Sequence, residues 1–308
     1  MSDVVDVMAP VMGRVRAYFA PVMRASETPT IFDAASDGGF ALDAPPAPWL
    51  DLGWIDGFAR KCGTKVDAVR AGAPAVTQMQ VRSEVEATVS FAFESWGKLQ
   101  LALAAGTQQL NLLKTVSGAT VPAVPLVSGA GGSTAIVLQA GAAVSGFAVG
   151  DRVAVDVDYA GATGFVGSGV SAAYVKTTLT DVDFVRRVTL NVGRVASVGA
   201  SAITLEEPLL AGVPIDGMKV SSVVGFCDRE GSSFFQEWSG LFVAEGRQGE
   251  RVVWFYPRLQ TMQGIAEDVS ATLGGFEKLR LSGVFRALPV VDALDGATVV
   301  CYRSYVAG

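Results

Sequence analysis

Met79-Gln-Val-Arg-Ser-Glu-Val-Glu-Ala-Thr-Val-Ser-Phe-Ala-Phe93 decides the fold class. Its odd positions are Met79, Val81, Ser83, Val85, Ala87, Val89, Phe91 and Phe93; its even positions are Gln80, Arg82, Glu84, Glu86, Thr88, Ser90 and Ala92. Side chains alternate across a strand, so this pattern predicts one dry face and one wet face. At about 3.3 Å per residue the stretch would reach roughly 50 Å, far longer than an ordinary strand. A strand of that length with one polar face suits a large curved sheet or a barrel.

The residues that follow predict a short helix. Ser95 reads as an N-cap and Gly106 as a stop, with Trp96, Leu99, Ala102 and Leu103 on one stripe. The odd face of the strand is expected to pack on this helix. That leaves Gln80, Arg82, Glu84, Glu86, Thr88 and Ser90 facing solvent or a channel.

On the N-terminal side, Arg14–Ala20 carries a weak strand pattern. An irregular segment, 26–52, then holds Asp37-Gly38-Gly39 and prolines at 45, 46 and 48, which favour an extended path. It also holds Ile31, Phe32, Phe40, Leu42, Trp49 and Leu50. A solvated linker would not carry six large apolar residues. The segment is therefore expected to be an arm lying on another subunit.

Beyond Lys114 the composition changes. Residues 115–225 are rich in Gly, Ala, Val, Ser and Thr and contain short strand-like runs. Among them are Phe147–Val157 and a hairpin pattern around Gly199, which predict a small antiparallel β domain inserted into the first. From Phe226 the earlier style resumes. Arg251–Tyr256 reads as a strand stopped by Pro257, Leu279–Ala287 as an amphipathic strand, and Thr298–Tyr305 as a strand after an Asp295-Gly296 turn.

The expected architecture is mostly β, a β-sandwich or barrel with one short packed helix. It is built from residues 1–114 and 226–308, with 115–225 as an inserted, outward-facing, small all-β domain.

Composition narrows the function. The chain has 308 residues, half of them hydrophobic, only 18% charged, and no histidine. Typical chains are about 25% charged. An apolar chain with no run of about 18 uncharged apolar residues does not read as a helical membrane protein, so the extra apolar surface points to partners. Met1-Ser2-Asp3-Val4-Val5-Asp6 lacks a basic segment and does not read as a signal peptide. Cys62, Cys227 and Cys301 are widely spaced and odd in number, which fits free thiols.

Absence of histidine removes the commonest general base, zinc ligand and nucleophile partner. A net charge of −6 argues against tight nucleic-acid binding, which phosphate neutralisation drives.

Apparent motifs have simpler readings. Gly129–Thr134 resembles a phosphate loop but has no Walker lysine. Glu84 and Glu86 fit a solvated face better than a catalytic pair. Asp151, Asp156 and Asp158 lack calcium-loop spacing. Trp49, Trp54, Trp96, Trp238 and Trp254 sit among apolar residues, as core or interface residues do. No catalytic residue, metal site or cofactor is expected.

Several stretches resemble the major tail tube proteins of tailed bacteriophages. They are Asp51-Leu-Gly-Trp-Ile-Asp-Gly-Phe58, Phe93-Glu-Ser-Trp-Gly-Lys-Leu-Gln-Leu101 and Gly106-Thr-Gln-Gln-Leu-Asn111. In the last part they are Gly231–Ser239, Phe255-Tyr-Pro-Arg258, Phe285-Arg-Ala-Leu-Pro289 and Asp292-Ala-Leu-Asp-Gly296.

The resemblance implies a non-enzymatic subunit of stacked rings, usually of six, whose strands join into an inner barrel. Its partners would be copies of itself, other tail proteins and DNA in transit, with no stable nucleic-acid binding and no membrane. Its place would be the virion tail, assembled in the host cytoplasm. Two alternatives stand beside it: an outer-membrane β-barrel, and a carbohydrate-binding or carbohydrate-active β-sandwich.

Overall fold

The structure is a computed structural model, and it describes residues 13–22, 28–46, 48–95, 97–106, 109–117, 119–121, 123–127, 131–137, 144–157, 192–209, 213–214, 217–228, 237–246, 249–262 and 281–307. Trp96, Gly129, Ala130, Asp158, Lys278 and Arg280 lie outside these residues, as do the side chains of Glu84 and Asp156.

The chain is mostly β. In order the strands are β1 (Val15–Pro21), β2 (Leu50–Ala71), β3 (Val76–Phe93), β4 (Gln109–Leu113), β5 (Thr115–Val116), β6 (Ala119–Thr120), β7 (Val124–Pro125), β8 (Ala135–Val137) and β9 (Arg152–Val157). They continue as β10 (Val192–Val198), β11 (Ala202–Leu205), β12 (Met218–Asp228), β13 (Glu237–Glu245), β14 (Arg251–Thr261), β15 (Leu281–Leu288), β16 (Val290–Val291), β17 (Thr298–Val299) and β18 (Tyr302–Val306). Two helices occur among the described residues, α1 (Ala34–Asp37) and α2 (Lys98–Ala105).

Two compact units form. One comprises Met1–Val22, Pro29–Gly106 and Phe235–Gly308; the other comprises Met23–Thr28 and Thr107–Phe234. Strands from both ends of the chain thus share one unit. The second unit is larger than the expected insert of 115–225, because β4 and the far end of β12 pair with each other rather than with the barrel.

In the first unit the strands run β13-β1-β2-β3-β15-β14, and β14 pairs back to β13, which closes a six-stranded barrel. β18 adds to β14 as a branch. Closure removes edges that would otherwise template aggregation. Rings from non-neighbouring strands meet across the interior: Phe19 lies 5.2 Å from Phe285 and Phe91 5.4 Å from Phe242, while Phe91 stacks on Phe285 of the adjacent strand at 5.4 Å. Six strands enclose a space that side chains fill completely. This interior is apolar, where a transmembrane barrel is polar.

At the barrel the alternation of β3 holds. Ala87, Val89, Phe91 and Phe93 are buried, while Thr88, Ser90 and Ala92 are only partly covered. β1 forms where the weak strand pattern lay, and it is covered on both faces, since Ala17 through Ala20 are all buried. Its second face, with Tyr18 and Ala20, lies under a cover built from the segment before β2. β14 runs through Pro257 instead of stopping there. The register shifts at this point, so the missing N–H falls in a bulge, and Ser239 Oγ donates to the Pro257 carbonyl at 2.8 Å.

α2 packs on β15 and β14. Its N-cap is Gly97 rather than the expected Ser95, and no side chain caps it. Its stop is as expected: Gly106 adopts φ 61° and its N–H reaches the Ala102 carbonyl. Thr261 Oγ1 donates to the Leu103 carbonyl at 3.0 Å beside it. A Cβ at Gly106 would lie 2.6 Å from Thr261 Cβ. Gly106→Ala is therefore expected to lower stability by about 1–3 kcal/mol, from left-handed strain and the clash together, read as a shift in denaturation midpoint.

The second unit carries one sheet in the order β4-β12-β9-β10-β11-β8, with β7 on β12. Its core gathers Ile136, Val153, Val155, Val195, Ile203, Leu205 and Val220. The hairpin expected around Gly199 is present as β10–β11, closed by Gly199 N–H to the Ala202 carbonyl at 2.8 Å.

Candidate assembly interface

β2 and β3 continue together well past the barrel. β1 pairs with β2 only as far as Ile55, and β15 pairs with β3 only as far as Thr88. From there to the turn at Gly72–Ala75 the two strands pair only with each other. The result is a two-stranded ribbon, about 30 Å long by strand rise. On both strands, residues 64–82 are exposed without exception. Val66, Val69, Val76, Met79, Val81 and Val85 remain between 43% and 57% exposed. An isolated two-stranded ribbon is marginal in water, and this one leaves both faces and both edges open.

The root is anchored. Gly57, at φ 61°, sits where β2 takes an extra residue against Ala92–Ser90. Phe58 then turns onto Phe242 and Trp254, at ring distances of 4.9 and 5.1 Å. Arg60 Nε donates to Tyr256 Oη at 3.1 Å, and its guanidinium reaches Cys301 Sγ at 3.9 Å. Burial pushes both the Tyr256 phenol and the Cys301 thiol up, so both keep their protons at neutral pH.

Register corrects the single-face reading of β3. Facing residues of an antiparallel pair share a side. Near the root Lys61 faces Thr88 and Gly63 faces Glu86, but beyond a bulge Val66 faces Arg82 and Ala68 faces Gln80. β2 is regular here, so its odd and even residues keep opposite faces. The extra residue lies in β3, between Arg82 and Glu84, and it inverts that strand's alternation.

Gln80 and Arg82 therefore lie on the face opposite Glu86, Thr88 and Ser90, and the expected polar face from 80 to 90 is split. The odd residues Met79, Val81 and Val85, expected to be buried, are exposed, because the ribbon has left the barrel and α2 behind.

A second shift, between Val69 and Arg70, inverts β3 again. The two bulges sort the distal ribbon. One face carries Val69, Ala71, Val76, Met79 and Val81 with Asp67. The other carries Val66, Ala68, Arg70, Thr77, Gln80 and Arg82, and joins Arg60 and Val85 toward the root.

Beside the root, Arg286 Nη2 meets Glu86 Oε1 at 3.1 Å, because β15 pairs with β3 there. Both side chains are more than half exposed, so the pair contributes less than about 1 kcal/mol.

The arm expectation loses its ground. It rested on apolar side chains having nothing local to cover. Instead Phe32 and Trp49 are buried in the chain's own cluster with Tyr18, Leu241, Val243, Val253 and Phe255, and Phe40 and Leu42 pack against it. Tyr18 Oη donates to the Leu42 carbonyl at 2.7 Å. Arg251 Nη1 donates to the carbonyls of Gly38 and Phe40 at 3.1 and 2.6 Å. Leu50 belongs to β2, facing Phe19. Of the six named residues Ile31 alone stays well exposed, at 65%.

A second exposed area lies by β18. Asp292 accepts the Leu294 N–H at 2.8 Å and the Tyr302 hydroxyl at 2.7 Å, which hold its carboxyl below the usual range. Burial and then Asp292 push Tyr302 up to about 12. Among the described residues no group of three His, Cys, Asp or Glu could hold a metal ion. No helix among them is long and apolar enough to cross a membrane.

No protein-family model matches the chain, and no curated protein matches it in sequence.

Proposed function

We propose that this chain is a structural, non-enzymatic subunit that assembles with copies of itself into the tube of a bacteriophage tail, around a channel that passes DNA. The ribbon carries the reading. Each half-exposed valine or methionine on it has on the order of 1 kcal/mol of burial left to gain, and both edges keep open ladder positions. Pairing with ribbons of neighbouring copies closes those edges, and a rotation that closes makes a ring.

Within this reading Glu86, Thr88, Ser90 and Arg286 face the channel, while Gln80 and Arg82 do not. Fixed charges of both signs there would hold phosphates weakly. Other tail proteins are further partners, and the particle assembles in the host cytoplasm. The apolar barrel interior weighs against an outer-membrane barrel, whose lumen is polar.

Negative-stain electron microscopy of the purified full chain at rising concentration tests the proposal. Rings or hollow rods are the expected result. Monodisperse monomers at every concentration would overturn it.

A further inference from the structure

Among the described residues of the barrel unit, the large exposed apolar side chains fall in two places. One is the ribbon. The other is the surroundings of β18: Ile31, Val291 and Leu294, with Leu294 exposed at 96%, and Tyr305 on the strand's opposite face. α1 and the turn 292–297 flank one face of β18, Gly38 lying by Val306 and Asp292 by Tyr302. Ala34, Phe40, Tyr302 and Val306 pack on a common cluster, and Tyr302 reaches Asp292.

The charges of the two places are opposite. On one ribbon face Arg70 and Arg82 stand with no carboxylate among the described side chains, with Val66 and Val85 beside them, while Arg60 at the root is turned to Tyr256 and Cys301. The patch by β18 carries Asp33, Asp37, Asp292 and Asp295, while Arg303 is on the opposite face of β18 from Tyr302. Arg251 is no counterweight, being turned inward onto the carbonyls of Gly38 and Phe40. Over residues 60–86 five cations outnumber three carboxylates, although the whole chain is at −6. A cationic ribbon on an acidic chain is complementary to other copies of that chain.

We infer that the arginine face of the ribbon docks on the acidic patch around Leu294 of a second copy. Leu294 and Val291 would then cover Val66 and Val85, and the carboxylates would meet Arg70 and Arg82. The contact is heterologous, ribbon to patch, so it propagates from copy to copy. The opposite ribbon face, with Val69, Val76, Met79 and Val81, stays free for contacts between ribbons. This inference rests on the reading of the chain as a self-assembling subunit.

A charge swap tests it. One variant carries Arg70→Glu and Arg82→Glu, which makes the ribbon face acidic. A second carries Asp37→Lys and Leu294→Lys, which makes the patch basic. All four positions are exposed, and circular dichroism with thermal unfolding checks that each variant folds. Sedimentation velocity reads assembly.

Each variant alone should self-associate at least about tenfold more weakly than the wild type, because like charges face each other across the contact. Mixed in equal amounts, the two should co-assemble, since the acidic ribbon fits the basic patch and the unchanged ribbon fits the unchanged patch. If the patch variant assembles normally, or if the mixture stays apart, the receiving surface is elsewhere while the assembly reading stands. If the folded wild type never associates, both fall.

Discussion

A chain with the distal ribbon excised, Thr64 joined to Val85 through Asn-Gly, is expected to fold as a barrel and to lose assembly altogether. Thr64 and Val85 face each other in register, so a two-residue turn of the type that matches strand twist can close the shortened hairpin there. The excised residues, Lys65 to Glu84, contribute no described side chain to the barrel core; every buried residue of β3 lies at Ala87 or beyond. Far-ultraviolet circular dichroism and denaturant midpoint should change little. Sedimentation velocity and electron microscopy should show monomer at concentrations where the parent chain forms rings or rods. Assembly that survives the excision would remove the ribbon from the argument.

Phe91→Ala should cost about 3–5 kcal/mol, whereas Met79→Ala on the same strand should stay within about 0.5 kcal/mol for the dilute monomer. Phe91 is 3% exposed and touches Phe19, Phe93, Phe242 and Phe285, so truncation opens a cavity where four strands meet. Met79 is 57% exposed and has little to lose within one chain. The comparison is made by denaturant unfolding at low concentration. At assembling concentration the order of effects on self-association should reverse, with Met79→Ala weakening it. Equal costs in the monomer would mean that the ribbon is packed, contrary to the geometry.

Much of the barrel was legible in local pattern. Alternation at Ala87–Phe93 and Leu281–Ala287 marked two inward faces, and Gly106 marked the end of α2. The tight turn at Asp295-Gly296 also formed, with Gly296 at φ 73° and its N–H on the Asp292 carbonyl. β2 was missed; over Lys61–Arg70 it has no clean period of two, because both its faces are exposed and no burial imposes one. The break at Gly72-Ala73-Pro74 was the available signal for the hairpin.

The arm was misjudged for a different reason. Its apolar residues announced that they would be covered, but the cover is Phe255 and Leu241, more than 190 positions later in the chain. Local reading has no means of pairing residues at that separation. The interface was misread through bulges. Strict alternation from Met79 to Phe93 put Gln80 and Arg82 with Glu86 and Thr88, and a single extra residue reversed that.

By itself, then, the sequence determined the β class, the division of the first unit between the two ends of the chain, the helix stop and the scarcity of titratable catalytic groups. Those follow from composition, turn chemistry and short-range periodicity, which act within a few residues. Tertiary structure alone decided that six strands close into a barrel, that the segment before β2 covers that barrel, and where β2 and β3 leave it. It also sorted the ribbon into an arginine face and an apolar face. These depend on register between strands, and register is settled where distant residues compete for the same buried space.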